Sequence, residues 1–131
     1  MTDIDVILAD GQPLSLLGLR SAVADHSDIR ILAECLDPRC LAQAVRLQPP
    51  DVLLVNASLL GDELGPLKQL VSQNHKIRVI VITTHTDAGF LDGAIQCGAK
   101  GVIQAQRPLE EIPAAIRKVT SGGVWSERVA A

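Results

Sequence analysis

Polar or small residues lie at the ends of four short apolar runs, where they could form a binding site. Asp10 and Gly11 follow the first run, Asn56 ends the third, Thr83 ends the fourth and Ala105 follows the fifth. Because parallel strands end at one edge of a sheet, these residues should ring a shallow pocket. One carboxylate, one carboxamide and one hydroxyl predict a site that works by hydrogen bonding.

The chemistry open to this set is narrow. An acyl phosphate forms only on a carboxylate oxygen, and the carboxamide of Asn56 is a poor nucleophile. Mg²⁺ usually takes one or two carboxylates together with water and phosphate oxygens, so Asp10 alone should bind it very weakly. We therefore predict no catalytic residue, no metal and no cofactor here. We expect backbone donors, Thr83 and the Asn56 amide to hold Asp10.

Two kinds of segment alternate along the chain and must position these residues. Short apolar runs predict strands at 6–9, 29–33, 52–55, 79–82 and 102–103. Amphipathic stretches predict helices at 13–25, 38–48, 64–74, 87–97 and 109–121. This alternation is typical of β/α units around a parallel sheet. The second run contains Arg30 and precedes Glu34, so we place that strand at an edge.

Prolines and glycines indicate where the helices begin and end. Pro13 suits a first helical turn, and Gly98 and Gly122 can adopt the left-handed conformation that ends the fourth and fifth helices. The fifth helix should turn an apolar stripe towards the core, formed by Leu109, Ile112, Ala115, Ile116 and Val119. Pro113 does not fit a helix interior, so this helix must start late or bend.

The overall composition favours one domain in the cytoplasm. The 131 residues suffice for one hydrophobic core, and 47% hydrophobic with only 2% aromatic residues indicates a core of aliphatic side chains. A net charge of −3 without a basic run argues against direct binding to nucleic acid. The sequence shows neither a signal peptide nor an apolar run long enough for a membrane span.

The three cysteines do not form a recognisable motif. Cys35, Cys40 and Cys97 are odd in number, and none falls in a C-x-x-C spacing. We expect small, reduced and mostly buried residues without a metal or redox role.

Four segments together resemble the receiver domains of response regulators of the NarL/FixJ (LuxR-type) family. They read ILADGQPL, PDVLLVNASLLG, VIVITTHTD and GAKGVIQAQRPLEEIPAAIRKVTSGGVW, and they cover essentially the whole chain. The resemblance implies a flavodoxin-like (βα)5 doubly wound α/β fold, with a five-stranded parallel sheet in the order 2-1-3-4-5. It also implies a receiver-like domain over 1–122 and the start of a linker over 123–131, with a DNA-binding helix-turn-helix beyond Ala131.

The resemblance also assigns roles to the pocket residues. In that family two acids after the first strand and an aspartate after the third hold Mg²⁺, and the latter aspartate takes the phosphoryl group. A Ser or Thr and a Lys contact the phosphoryl oxygens, and an aromatic residue reports the switch. Asp10 and Thr83 match this pattern. The positions that depart from it are Gly11, Asn56, Val102 at the switch position, and Ala105 at the Lys position.

The departures favour a pseudo-receiver, a phosphorylation-independent regulatory domain of a transcriptional regulator that acts through protein contacts or dimerisation. One alternative is a stand-alone adaptor that docks on a kinase or another regulator. Another is a receiver phosphorylated at an unexpected residue, for which the candidates are Asp51, Asp62, Glu63 and His85.

Candidate contact residues lie on the predicted helices. Leu17 falls off the inward stripe of the first helix, and Phe90 falls off that of the fourth. Arg117 lies on the polar side of the fifth helix. We expect the outer faces of the first and fifth helices to form a homodimer surface, and the region around Phe90 to meet protein partners.

Overall fold

The computed structural model describes residues 3–126 and confirms the predicted alternation of strands and helices. The elements are β1 (Ile4–Ala9), α1 (Pro13–Ala24), β2 (Ile29–Cys35), α2 (Pro38–Leu47), β3 (Val52–Asn56), a 3-10 turn (Ala57–Leu60), α3 (Leu64–Gln73), β4 (Arg78–Thr83), α4 (Ala88–Gln96), β5 (Gly101–Gln104) and α5 (Glu111–Thr120). The predicted bounds of strands and helices differ from these by at most two residues. The 3-10 turn was not predicted.

The five strands form one parallel sheet in the order β2-β1-β3-β4-β5, as the resemblance implied. The apolar runs of β1, β3 and β4 are almost completely buried because helices cover both faces of the sheet. β2 lies at an edge, as predicted, and its Arg30 is exposed.

Alternate residues of each strand face opposite layers, which gives the domain two cores. Val6 and Leu8 pack with α1 and α5, whereas Ile7 and Ala9 pack with the three other helices. The result is the flavodoxin-like α/β sandwich, with α1 and α5 on one face and α2, α3 and α4 on the other.

The prolines and glycines act as predicted, with one correction. Pro13 lies in the first turn of α1, and Gly98 and Gly122 have φ of 107° and 96°. Helix α5 starts late, at Glu111, which places Pro113 in its first turn where its missing N–H costs no helical hydrogen bond. Leu109 therefore precedes the helix and is 47% exposed, so its assignment to the inward stripe is wrong.

The segment after α5 pairs with the edge of the sheet. The N–H of Trp125 donates to the Lys100 carbonyl at 2.9 Å, and the N–H of Val102 donates to the Trp125 carbonyl at 2.8 Å. This parallel bridge continues the sheet beyond β5. The first residues of the predicted linker are thus attached to β5, and 127–131 lie outside the described residues. Among residues 3–126 no helix is both long and apolar enough to cross a bilayer.

Candidate functional site

The carboxyl ends of the strands place the predicted pocket residues along one edge of the sheet. β1 pairs with β3, β3 with β4 and β4 with β5, and Thr83 is the register partner of Gln104. Asp10 follows β1 directly, so its side chain reaches across to Asn56 at the end of the neighbouring strand. The structure therefore brings these two residues into contact, as the sequence predicted.

Asp10 is completely buried and its carboxylate is held by three donors. Its Oδ1 accepts from the N–H of Gln12 at 2.9 Å. Its Oδ2 accepts from the Ser15 hydroxyl and from the Asn56 amide, the latter at 3.1 Å. Hydrogen bonds to a carboxylate are among the stronger ones in proteins, so these three donors stabilise the buried side chain.

The hydrogen bonds around Asn56 fix the orientation of its carboxamide. Its Oδ1 accepts from the backbone N–H of Ser58 at 3.0 Å and from the Ser58 hydroxyl at 2.9 Å. The amide nitrogen must then face Asp10, whose ionised carboxylate can only accept. Asn56 thus joins Asp10 to the first residues of the 3-10 turn, where it also serves as the N-cap.

Thr83 does not hold Asp10, which corrects the sequence-based expectation. Its side chain is buried, and its Oγ1 accepts from the backbone N–H of His85 at 3.0 Å. This contact turns the chain between β4 and α4. The role expected of Thr83 belongs instead to Ser15.

Ser15 was missed because no motif marks it. It is the third residue of α1, and this helix begins at Pro13, shortly after the end of β1. A hydroxyl in the first turn of a helix that follows a buried acid at a strand end is the signal that could have found it. In the same way, the Ser58 hydroxyl lies in the first turn of the 3-10 helix that follows Asn56 at the end of β3.

The backbone at Gly11 leaves room for a Cβ atom. A Cβ built there would lie 3.6 Å from Leu59 Cδ1 and 3.7 Å from the Leu36 carbonyl oxygen, both ordinary contact distances. Ala105 is exposed at the end of β5, and its N–H donates to the Thr83 carbonyl at 2.7 Å. Steric crowding therefore does not explain a small residue at position 11.

Val102, at the predicted switch position, is 1% exposed and packs in the core shared with α2, α3 and α4. Its backbone is tied to Trp125 by the bridge at the sheet edge. The position thus holds a buried aliphatic side chain rather than an aromatic ring.

A second group of side chains lies around the β4–α4 loop. The His85 ring stacks on Phe90 with centroids 4.2 Å apart. Its Nε2 is 3.7 Å from the Asp62 carboxylate and its Nδ1 is 3.8 Å from that of Asp87. Phe90 is half-buried, which agrees with the predicted partial exposure.

The other candidate phosphoacceptors do not gather at the pocket. The Asp51 carboxylate accepts from the N–H of Asp5 at 2.8 Å and lies at the opposite end of the sheet, where β3 begins. Glu63 is exposed at the start of α3. Within residues 3–126 no three His, Cys, Asp or Glu side chains are grouped as ligands of one metal ion.

The two predicted contact residues on α1 and α5 are both exposed, but they differ in their surroundings. Leu17 is 47% exposed. The Arg117 guanidinium donates to both carboxylate oxygens of Asp28, at 2.8 and 2.9 Å, and lies 2.8 Å from His26 Nδ1. The hydrogen bonds from Arg117 lower the pKa of Asp28 to about 2. Arg117 thus joins α5 to the loop between α1 and β2.

Comparison with curated proteins gives relatives of low identity that match almost the whole chain. Fimbriae Z protein of Salmonella typhimurium is 24% identical over 123 residues, which cover 93% of this chain and 59% of the relative. Response regulator UvrY of Escherichia coli is 27% identical over 120 residues, or 91% and 55% of the two chains. The chain spans little more than half the length of these relatives. No model of a protein family matches it.

Solved structures agree closely with the fold. The isolated receiver domain of RcsB from Salmonella enterica serovar Typhimurium superposes with a TM-score of 0.86 at 21% identity, covering 97% of this chain and 95% of that one. The receiver domain of the response regulator NarL from Mycobacterium tuberculosis gives 0.83 at 23% identity, covering 93% and 99%. The chain therefore has the fold of receiver domains, and the proteins similar to it along its length include response regulators.

Proposed function

We propose that this chain is the receiver domain of a two-component-type transcriptional response regulator that works without phosphorylation. Support for the first part comes from the fold and from relatives that match more than nine-tenths of the chain. Support for function without phosphorylation comes from the hydrogen bonds of Asp10 and Asn56 in the pocket. In this proposal the domain regulates through protein contacts or dimerisation, and it has no catalytic activity of its own.

The hydrogen bond from Asn56 Nδ2 to Asp10 Oδ2 is the observation that carries the proposal. If residue 56 were an aspartate in the same place, two negative oxygens would lie about 3 Å apart. Their repulsion would be about 5 kcal/mol at an effective dielectric of about 20, so a metal ion or a lysine would have to offset it. The carboxamide replaces this repulsion with a hydrogen bond.

The same contacts remove the parts that phosphotransfer needs. The nitrogen lone pair of Asn56 is delocalised and its oxygen accepts two hydrogen bonds from Ser58, so the residue offers no nucleophile. Asp10 is the one carboxylate among the predicted pocket residues, and both of its oxygens already accept hydrogen bonds. The three donors fill three of the roughly four lone-pair sites of this carboxylate, which leaves little capacity for a bound Mg²⁺.

The test is to incubate the protein with acetyl phosphate and Mg²⁺ and to measure its intact mass. We expect no stable phosphoryl adduct, and we expect Mg²⁺ with beryllofluoride to leave the amide resonances of residues 10, 56 and 83 unchanged. A catalytically competent receiver domain treated in parallel confirms that the reagents are active. A stable adduct, or saturable shifts at these three amides, would contradict the proposal.

Two alternatives remain distinct from this proposal. A stand-alone adaptor would have no DNA-binding domain, and the length of the native reading frame decides between it and a transcriptional regulator. RcsB, whose complex with DNA has been solved, has a chain of which this one covers 65%. A helix-turn-helix beyond Ala131 would supply DNA binding here. Phosphorylation at an unexpected residue is best tested at Asp62, whose carboxylate lies 3.7 Å from His85 Nε2.

For the dimer we propose the outer surface of α1 together with the segment before α5. Leu14, Leu17 and Leu109 are 82, 47 and 47% exposed. Scattered exposed leucines are ordinary, but these three belong to the layer formed by α1 and α5, and we propose that a second copy covers them. Arg117 is already bound to Asp28, so we assign it to the rim of this surface.

Leu17→Asp should weaken self-association of the protein without unfolding it, because the new charge would be desolvated in the dimer and hydrated in the monomer. Sedimentation velocity over a concentration series measures the change. Leu47→Asp is the matched control, since Leu47 is 78% exposed at the end of α2, on the opposite face of the sheet. A monomeric wild-type protein, or equal effects of the two substitutions, would rule out this surface.

A further inference from the structure

Two thiols meet beside the pocket although nothing in their sequence spacing indicated it. Cys35 is the last residue of β2 and is completely buried, whereas Cys40 lies in the first turn of α2 and is partly exposed. Their Sγ atoms are 2.8 Å apart. A disulfide has its sulfurs about 2.05 Å apart, so less than about 1 Å of further approach would join them.

The turn between β2 and α2 holds the two thiols together. Asp37 caps α2, and its carboxylate accepts from the N–H of Cys40 at 2.7 Å. This contact folds the first turn of the helix back over the end of the strand. The short distance between the two thiols therefore follows from the backbone of this turn and from the Asp37 cap.

The same turn borders the degenerate pocket. The backbone carbonyl of Cys35 accepts from the N–H of Asp10 at 2.9 Å. The carbonyl oxygen of Leu36 is one of the two atoms nearest to the space that a side chain at position 11 would occupy. A change in the covalent state of Cys35 thus acts on a backbone carbonyl that is hydrogen-bonded to the N–H of Asp10.

We infer that Cys35 and Cys40 form a reversible disulfide and are a site of oxidation by a hydroperoxide. In proteins of a reducing compartment such bonds are typically transient and redox-sensing. The inference goes beyond the proposed function, and it holds whether or not residue 56 can accept phosphate. If both hold, oxidation is an input that reaches the pocket without phosphotransfer.

The different exposure of the two thiols determines which one reacts first with the peroxide. Burial and the contact with Cys40 raise the pKa of Cys35 to about 12, so Cys35 stays protonated at neutral pH. The thiolate of Cys40 attacks one peroxide oxygen, the O–O bond breaks, and the released hydroxide takes a proton to form water. Cys40 becomes a sulfenic acid, oxidised by two electrons.

The second step closes the disulfide. The sulfur of Cys35 attacks that of Cys40, the S–O bond breaks, and the departing hydroxide takes the thiol proton of Cys35 to form the second water. Two thiols and one hydrogen peroxide thus give one disulfide and two waters. A thiol reductant reverses the change by exchange through a mixed disulfide.

The experiment treats the whole chain with one equivalent of hydrogen peroxide, alkylates the remaining thiols and maps the peptides by mass. We expect a peptide pair linked through Cys35 and Cys40, loss of two alkylation sites, and full recovery with dithiothreitol. Cys97 should stay free. Closing this short loop should raise the midpoint of thermal unfolding by about 5 °C.

Matched variants distinguish the pair from general oxidation. Cys40→Ser and Cys35→Ala should each abolish the link and the thermal shift, whereas Cys97→Ser should keep both. In the wild type the amide resonance of Asp10 should move on oxidation, and in Cys40→Ser it should not. Three free thiols after peroxide treatment, a link that involves Cys97, or sulfinic acid at Cys40 without a link would overturn the inference. None of these outcomes depends on the acetyl phosphate test.

Discussion

The triple variant Gly11→Asp, Asn56→Asp and Ala105→Lys should take up a phosphoryl group from acetyl phosphate, whereas the wild-type protein should not. The three changes supply the second metal-binding acid, the nucleophilic carboxylate and the lysine that the family resemblance assigns to these positions. We expect saturable Mg²⁺ binding and a stable, Mg²⁺-dependent increase of one phosphoryl mass. Intact mass spectrometry with and without Mg²⁺ measures the gain.

The geometry supports this gain of function. A Cβ atom at position 11 meets only ordinary contacts with Leu59 and Leu36, so the backbone there does not prevent an aspartate. Thr83 is already buried at the end of β4. What the variant must overcome is the repulsion between Asp10 and the carboxylate introduced at position 56, and Mg²⁺ together with the new lysine offsets it.

The single substitution Asn56→Asp is the control for the triple variant. It restores the nucleophile without its counter-charges, so we expect no phosphoryl uptake and a loss of about 3–5 kcal/mol in the free energy of unfolding at neutral pH. Acidification should reduce this loss, because the introduced carboxyl group, once protonated, is neutral like the wild-type carboxamide. A triple variant that stays unlabelled while folded and Mg²⁺-bound would show that another feature of the pocket prevents phosphotransfer.

The fold could be predicted from the sequence because its elements have strong local signals. Val6 to Ala9 and Val52 to Val55 are continuous apolar runs, as expected of strands covered on both faces, and glycines end two of the helices. The order of the strands followed from the family resemblance, since periodicity alone does not determine it. Leu109 was misplaced because its periodicity suits a helix, while Pro113 delays the start of that helix to Glu111.

The site could be predicted only in part because its contacts depend on distances that the sequence does not contain. Asp10 and Asn56 were found because each lies at the end of a strand. Thr83 was given the role of Ser15 because Thr83 ends a strand, as the other predicted pocket residues do, whereas Ser15 lies in the first turn of α1. The contact between Cys35 and Cys40 depends on a capped turn, and a spacing of five residues does not indicate it.

Asp10→Ala should lower the free energy of unfolding by about 2–4 kcal/mol, which is a large share of the stability of a domain of this size. The substitution leaves the N–H of Gln12, the Ser15 hydroxyl and the Asn56 amide without the acceptor they share. Urea denaturation followed by circular dichroism, with the slope of the transition checked for constancy, measures the loss.

Whether Asp10→Ala stabilises or destabilises the protein shows whether the negative charge in the pocket is compensated. Where several carboxylates cluster without a cation, removal of one relieves repulsion and stabilises the fold. Here the other predicted acid positions hold a glycine and a carboxamide, so Asp10 is an acceptor that its neighbours need. Ser15→Ala should cost about 1 kcal/mol, and the double variant should cost less than the sum of the two, because the hydroxyl and the carboxylate interact directly. A stabilised Asp10→Ala protein would mean that uncompensated negative charge remains in the pocket, and the proposal that the site has settled into a hydrogen-bonded form would then fail.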